Sequence, residues 1–262
     1  MSGIRLVVGL GNPGKEYERT RHNAGFWLLE RLAAQSGVAL RKEAKYQALV
    51  GRLAGNGAWL VLPQSFMNAS GRAVQMIAGF FRIPAPEILV VHDEVDFPPG
   101  TARLKQGGGI AGHNGLRDIS QRLATHDYWR LRLGVGHPGD KGAVADYVLG
   151  KPPAEEREAI DAAIARSLEV LPLCLAGDLQ GAMQRLHTAE KAEADRPAEK
   201  KPEAKAPEKP ETAQPKPPEA KAPQAKAKEK APEEKAPEAK GEASKAGLKG
   251  LIGSLLHPGK KK

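Results

Sequence analysis

The chain has one cysteine, Cys174, in 262 residues. A single thiol excludes an internal disulfide and any cluster of thiolate metal ligands. Its apolar setting, LPLCLAG, marks it as core filling. No window reaches the roughly 18 apolar residues of a membrane span. The N-terminal apolar run is broken by Gly, Asn and Pro within ten residues, so neither a spanning helix nor stable membrane insertion is expected. A reducing cytoplasm is the expected location. Two signatures of common hydrolases are missing. There is no G-x-S-x-G elbow to hold a serine nucleophile and no H-E-x-x-H pair to hold zinc.

Residues are unevenly distributed along the chain. From Lys191 onward it consists almost wholly of Lys, Glu, Ala and Pro, with no aromatic residue. Such a composition buries too little apolar area to offset the entropy of ordering it, and a disordered tail is expected. Residues 1–190 hold 22 basic against 19 acidic side chains and residues 191–262 hold 18 against 12, so most of the formal +9 lies in the tail. The organisation expected is a single folded domain over 1–190, a disordered Lys/Pro/Ala/Glu-rich linker over 191–246 and a short amphipathic basic segment over 247–262. In that last segment Leu248, Leu251, Ile252, Leu255 and Leu256 form a helical stripe beside terminal lysines. Its positive charge suits transient contact with a ribosome or another polyanion.

Within 1–190 the apolar pattern alternates between periods of two and 3.6. Strands are expected at 4–10, 47–53, 58–63, 87–96, 101–105 and 129–136, with Asn56-Gly57 turning a hairpin between the second and third. Helices are expected over 25–37, from a cap at Ser70 or Asn68 through Val74, Ile77, Ala78 and Phe81 to a stop before Pro84, from about 116 to 123, over 155–171 and around 178–186. This predicts an α/β fold: one layered domain with a mostly parallel mixed sheet flanked by helices.

The stretch GLGNPGKEYERTRHNAG fits G-x-G-x-x-G at Gly9, Gly11 and Gly14, the fingerprint of a dinucleotide loop. That reading requires the third glycine to open a helix. Here KEYERTRHN follows Gly14 with no apolar register before Ala24, and Glu30, the acid about 20 residues on, falls inside the first helix. A nucleotide-dependent α/β oxidoreductase is therefore the weaker alternative, and no cofactor is expected.

What remains is a polar excursion at the carboxyl end of a strand, where open α/β sheets collect their sites. The segments 63-PQSFMNASG-71, 91-VHDEVD-96 and 105-KQGGGIAGHNG-115 occupy similar positions, so four polar loops are expected to converge on one cleft. His22 and Asp93 are the natural pair: a carboxylate fixes the imidazole's tautomer while its other nitrogen takes a proton from water. His92, Asp93, Glu94 and Asp96 match no closed metal site, because neighbours in a strand point to opposite faces; no metal is expected. Asn12, Asn68 and Asn114 each lie in a glycine-containing loop and can both donate and accept.

Five blocks in order, GLGNPGKEYERTRHNAG, PQSFMNASG, HDEVDFPPG, GGGIAGHNGLRDI and RLRLGVGHPG, resemble those of the bacterial peptidyl-tRNA hydrolase family over residues 4–190. The resemblance implies cleavage of the ester joining a peptide to the 3′-terminal ribose of tRNA, by a monomer. It also implies His22 as catalytic base and Asp93 as its carboxylate, with Asn12, Asn68 and Asn114 positioning the substrate and Tyr17, Phe66, Met67 and His113 lining the cleft. Arg103, Lys105, Arg117 and Arg132 flank that cleft in sequence and are candidates for tRNA phosphates. Ile110 and Ala111 depart from the family's GGGHGGHNG. A non-catalytic tRNA-binding module is the alternative to a hydrolase.

Overall fold

The computed structural model describes residues 2–194; of the linker read at 191–246 only 191–194 are described, and they are helical rather than disordered, while the rest of it and the amphipathic segment at 247–262 lie outside the described residues. The chain order is β1 (Leu6–Gly9), α1 (Ala24–Gln35), β2 (Arg41–Glu43), β3 (Ala48–Arg52), β4 (Trp59–Pro63), α2 (Ser70–Phe81), β5 (Ile88–Glu94), β6 (Ala102–Gln106), α3 (Asn114–Leu123), β7 (Trp129–Gly134), α4 (Val144–Leu149), α5 (Ala154–Ala176) and α6 (Leu179–Ala194). The strands form one sheet in the order β2-β3-β4-β1-β5-β7-β6.

The α/β layering matches the sequence reading, but the sheet is not mostly parallel. Pairs β1–β4, β1–β5 and β5–β7 are parallel, whereas β2–β3, β3–β4 and β6–β7 are antiparallel. Parallel pairing is confined to the centre. β3–β4 is the hairpin expected from Asn56-Gly57, with Gly57 at φ +69 and the Asn56 carboxamide oxygen accepting from the Ala58 N–H at 3.2 Å. The other difference lies at β6. A strand, helix and strand in succession suggest a parallel crossover, yet the chain returns antiparallel, pairing Ala102 with Leu133 and Gln106 with Trp129.

Alternation along the strands sends side chains into two cores. Leu89, Val91, Leu131 and Leu133 pack with α1, α5 and α6, and Cys174 is buried among them. Val8, Val61, Ile88 and Val90 pack with α2 and α3. β5 is buried along its whole length, which explains its unbroken aliphatic run. No helix among the described residues is long and apolar enough to cross a membrane.

Local rules explain most helix ends. α1 stops at a Schellman turn, with Gly37 at φ +64 and the Val38 N–H donating to Ala33 O at 2.8 Å. α2 begins differently from expectation. Neither Ser70 nor Asn68 caps it; the Ser70 hydroxyl donates to Met67 O, and the Gly71 N–H is taken by the carboxylate of Asp118 on α3 at 2.7 Å. The anion that faces the positive end of α2 comes from the adjacent helix. α3 starts at Asn114, two residues before its expected start, because His113 caps it.

The glycines of the first loop serve packing and turning. A methyl group on Gly9 would lie 2.5 Å from Gly25 O, and one on Gly25 would lie 2.4 Å from Val91 O, so the first turn of α1 rests directly on β1 and β5. α1 starts ten residues after Gly14, a geometry unlike that of a dinucleotide loop.

Candidate active site

The carboxyl ends of β1, β4 and β5 and the loop before α3 bring the polar segments together. A single turn of 3-10 helix, residues 21–23, carries His22 to the start of α1. Its Nδ1 lies 2.9 and 3.0 Å from the two carboxylate oxygens of Asp93 at the end of β5. Asp93 is 3% exposed. From the other side His113 Nε2 reaches Asp93 Oδ1 at 3.1 Å, and the two imidazoles stand 5.0 Å apart.

The hydrogen-bond partners fix the tautomers. His113 Nδ1 accepts from the Gly115 N–H at 3.1 Å and, more weakly, from Leu116 at 3.4 Å. A nitrogen that accepts cannot carry the proton, so Nε2–H of His113 donates to Asp93. Burial alone would raise the Asp93 pKa, but the electrostatic influence and hydrogen bonds of the His22 and His113 rings hold it well below the usual carboxylate range. The ionised carboxylate takes Nδ1–H of His22. The lone pair of His22 is thereby left on Nε2, which has no hydrogen bond to another described residue and is not sealed from solvent. For His22, burial pushes the pKa down, and the Asp93 charge and hydrogen bond outweigh it, so the net shift is upward.

Ligand atoms of His22, Asp93 and His113 lie within 4.8 Å of one another, the described cluster best placed for a cation. Its donor set fits a metal poorly. Ligation through His113 Nε2 would move the ring proton to Nδ1, where it would oppose the Gly115 N–H. The run His92, Asp93, Glu94 and Asp96 does not converge. His92 is buried and bonds through Nδ1 to Asp93 O at 2.7 Å, and Glu94 pairs with Arg132 at 2.9 Å. Burial, with His113 alongside, pushes the His92 pKa down to about 3.

The three asparagines differ in what they offer. Asn12 is buried; its Oδ1 accepts the Met67 N–H at 2.8 Å, so only its N–H donors remain available. Its main chain is held at both N–H and C=O by the Asn23 side chain, at 2.8 and 3.0 Å. Asn68 is exposed, with both ends of its amide unengaged among the described residues. Asn114 is exposed and receives Arg117 on Oδ1 at 3.2 Å.

Tyr17 and Phe66 meet edge to face at 6.3 Å, and Phe66 is 61% exposed, an apolar wall beside the polar floor. Met67 is buried, with its Sδ against Gly115. Of the four candidate phosphate contacts, Lys105 and Arg117 are exposed, Arg103 is half-buried and Arg132 is committed to Glu94 and to the ring of Phe97, 4.3 Å away.

Sequence reasoning does not single out Arg130, and it places Arg21 in the polar excursion before α1 without a role. Arg130 sits beneath the glycine run and donates to Gly107 O and Gly109 O. The alternation WRLRLG could have shown it: Trp129, Leu131 and Leu133 face the core, leaving Arg130 and Arg132 together on the other face. Arg21 stands beside the histidine in RHN, and its partners lie more than 120 residues away, beyond the reach of local pattern.

A histidine oriented by a buried carboxylate, its other nitrogen open to solvent, at the carboxyl ends of central parallel strands suits a hydrolase that activates water directly. The comparisons give the particular kind. The sequence pattern of the peptidyl-tRNA hydrolase family matches residues 6–195, and the chain belongs to that family. It is 57% identical to a peptidyl-tRNA hydrolase of Methylobacillus flagellatus over 192 residues, 73% of this chain and all of the relative, and 56% identical to one of Thiobacillus denitrificans, covering 70% and 90%. The crystal structure of peptidyl-tRNA hydrolase from Acinetobacter baumannii superposes with a TM-score of 0.69 at 46% identity, covering 71% of this chain and 95% of that one.

Proposed function

We propose that the chain hydrolyses the ester between a peptide and the 3′-terminal ribose of tRNA, with His22 as the base. The observation that carries the reading is the contact of His22 Nδ1 with the buried Asp93 carboxylate, which leaves Nε2 to act. A water proton moves to Nε2 and the oxygen attacks the ester carbonyl. The tetrahedral intermediate then expels the ribose 3′-oxygen, which takes the proton back from Nε2. Free peptide acid and tRNA are the products. An ester is already activated, so positioned water and a base meet the chemical demand without a covalent nucleophile.

The N–H donors of Asn12 and Asn68 suit the developing oxyanion and the peptide backbone, and Asn114 suits the substrate's other amides. Tyr17, Phe66 and His113 border this space, and Met67 supports it from beneath. Lys105 and Arg117 are the exposed cations best fitted to phosphates, with Arg103 and Arg132 secondary because each is partly withdrawn from solvent. The catalytic domain is the portion read as 1–190, extended to Ala194 by the end of α6. It acts as a monomer in the cytoplasm, with the tail free for contact with a ribosome or other polyanion.

The test is release of free tRNA and peptide from purified peptidyl-tRNA, with no nucleotide added and with EDTA present. Turnover under those conditions is expected. Binding without cleavage would leave only a tRNA-binding module.

A further inference from the structure

We infer that Arg21 is a positioning residue for His22, locking the turn that presents the base to the segment 147–156. This rests on the reading of His22 as base. A 3-10 turn of three residues has little stability of its own, and its placement comes from what holds it. On one flank Asn23 is fastened to the main chain of Asn12. On the other flank Arg21 sends its side chain inward, where it is only 7% exposed.

The guanidinium is held on several sides. Nη1 donates to Tyr147 O at 3.3 Å and to Lys151 O at 3.2 Å, and Nη2 pairs with Glu156 at 2.8 Å. Its Cζ lies 4.0 Å from the centre of the Tyr147 ring. The Arg21 main-chain N–H donates to Gly150 O at 3.1 Å, and the Tyr147 hydroxyl is fixed in turn to Val135 O at 2.9 Å, just past β7. These partners belong to α4, the first turn of α5 and the connection between them.

A planar fork reaches two carbonyls, a carboxylate and a ring face together, whereas an ammonium offers a point charge. Nε is buried with no partner, so the head is not held by full satisfaction of its donors. Arg21 makes no hydrogen bond to Asp93, His113 or the asparagines. Its influence on the reaction therefore passes through the position of His22.

Single-turnover and steady-state kinetics of Arg21→Ala on peptidyl-tRNA test this. We expect kcat to fall about tenfold to a hundredfold, the scale of a displacement near 1 Å, with KM within about twofold. Millimolar guanidinium, refilling the space over Tyr147, should restore several-fold of the loss; ammonium at equal ionic strength should not. In a His22→Ala background Arg21→Ala should cost nothing further, because there is no base left to position. Should Arg21→Ala fail to fold by circular dichroism, Arg21→Lys decides instead, since it keeps a charge beside Glu156 but loses the fork. Wild-type kcat in a folded variant, a loss confined to KM, or the same loss without His22 would overturn the inference. Full activity of His22→Ala alone would instead remove the base reading on which it rests.

Discussion

One carboxylate between two imidazoles gives each ring a different task. His113 must keep Nδ1 bare to cap α3, so it serves Asp93 as a donor, and Asp93 in turn directs His22. The raised pKa of His22 has a definite sign in the kinetics. The base works only when neutral, so activity falls as pH drops through that value, and the acid limb of kcat/KM should lie above the ordinary histidine value of about 6.5. Asp93→Asn removes the charge and leaves the burial, which moves the limb to lower pH while lowering the plateau; rates from pH 5 to 8.5 measure both. A limb that stays in place would separate Asp93 from the base. At Asn12 the constraint is equally specific. Asn12→Asp keeps an acceptor for the Met67 N–H but turns the donating end into an acceptor. We expect kcat to drop about a hundredfold or more in a variant that circular dichroism shows to be folded, a loss on the scale of a missing oxyanion donor.

The elements that position these residues were legible in the sequence to different degrees, for physical reasons. β5 was clear because an aliphatic run buried on both faces and ending in His-Asp-Glu has few other readings. β2 was not, because its Arg-Lys-Glu side chains are all exposed and its strand state comes from pairing with β3. The His22–Asp93 pairing was read from chemistry, whereas Asp118 as the cap of α2 depends on a neighbour 47 residues away and leaves no local trace. The loop 107–112 shows the same limit. Gly107, Gly108 and Gly112 adopt positive φ, as glycines readily do, but so does Ala111, at φ +46, which its residue type would not suggest. A methyl group in that region costs about 1 kcal/mol. Ala111→Gly should relieve the strain, less the added freedom of the unfolded chain, and raise stability by up to about 1 kcal/mol in urea unfolding. A decrease would mean that the Ala111 side chain contributes contacts outweighing its backbone strain.

At the scale of the whole molecule, the described residues and the match to the relatives end at nearly the same place. A relative from Methylobacillus flagellatus is matched from end to end by 192 residues of this chain, and the family match stops at residue 195. α6 must be kept in any truncation, since Leu179, Ala182 and Leu186 are buried in the same core as β7 and α1. A cut before Ala194 would shorten that helix, whereas one after it leaves every described strand and helix and every candidate site residue in the chain. Deleting 195–262 should therefore leave kcat/KM on free peptidyl-tRNA within a few-fold of the full chain at moderate salt. The deleted segment contributes most of the formal positive charge, so any difference should grow as ionic strength falls, in the manner of long-range attraction to a polyanion rather than of a lost contact. The measurement is kcat/KM for both forms across a salt series, with ribosome co-sedimentation of each alongside. A loss above tenfold that persists at high salt, in a truncated enzyme with an unchanged melting temperature, would place part of the substrate site in the tail.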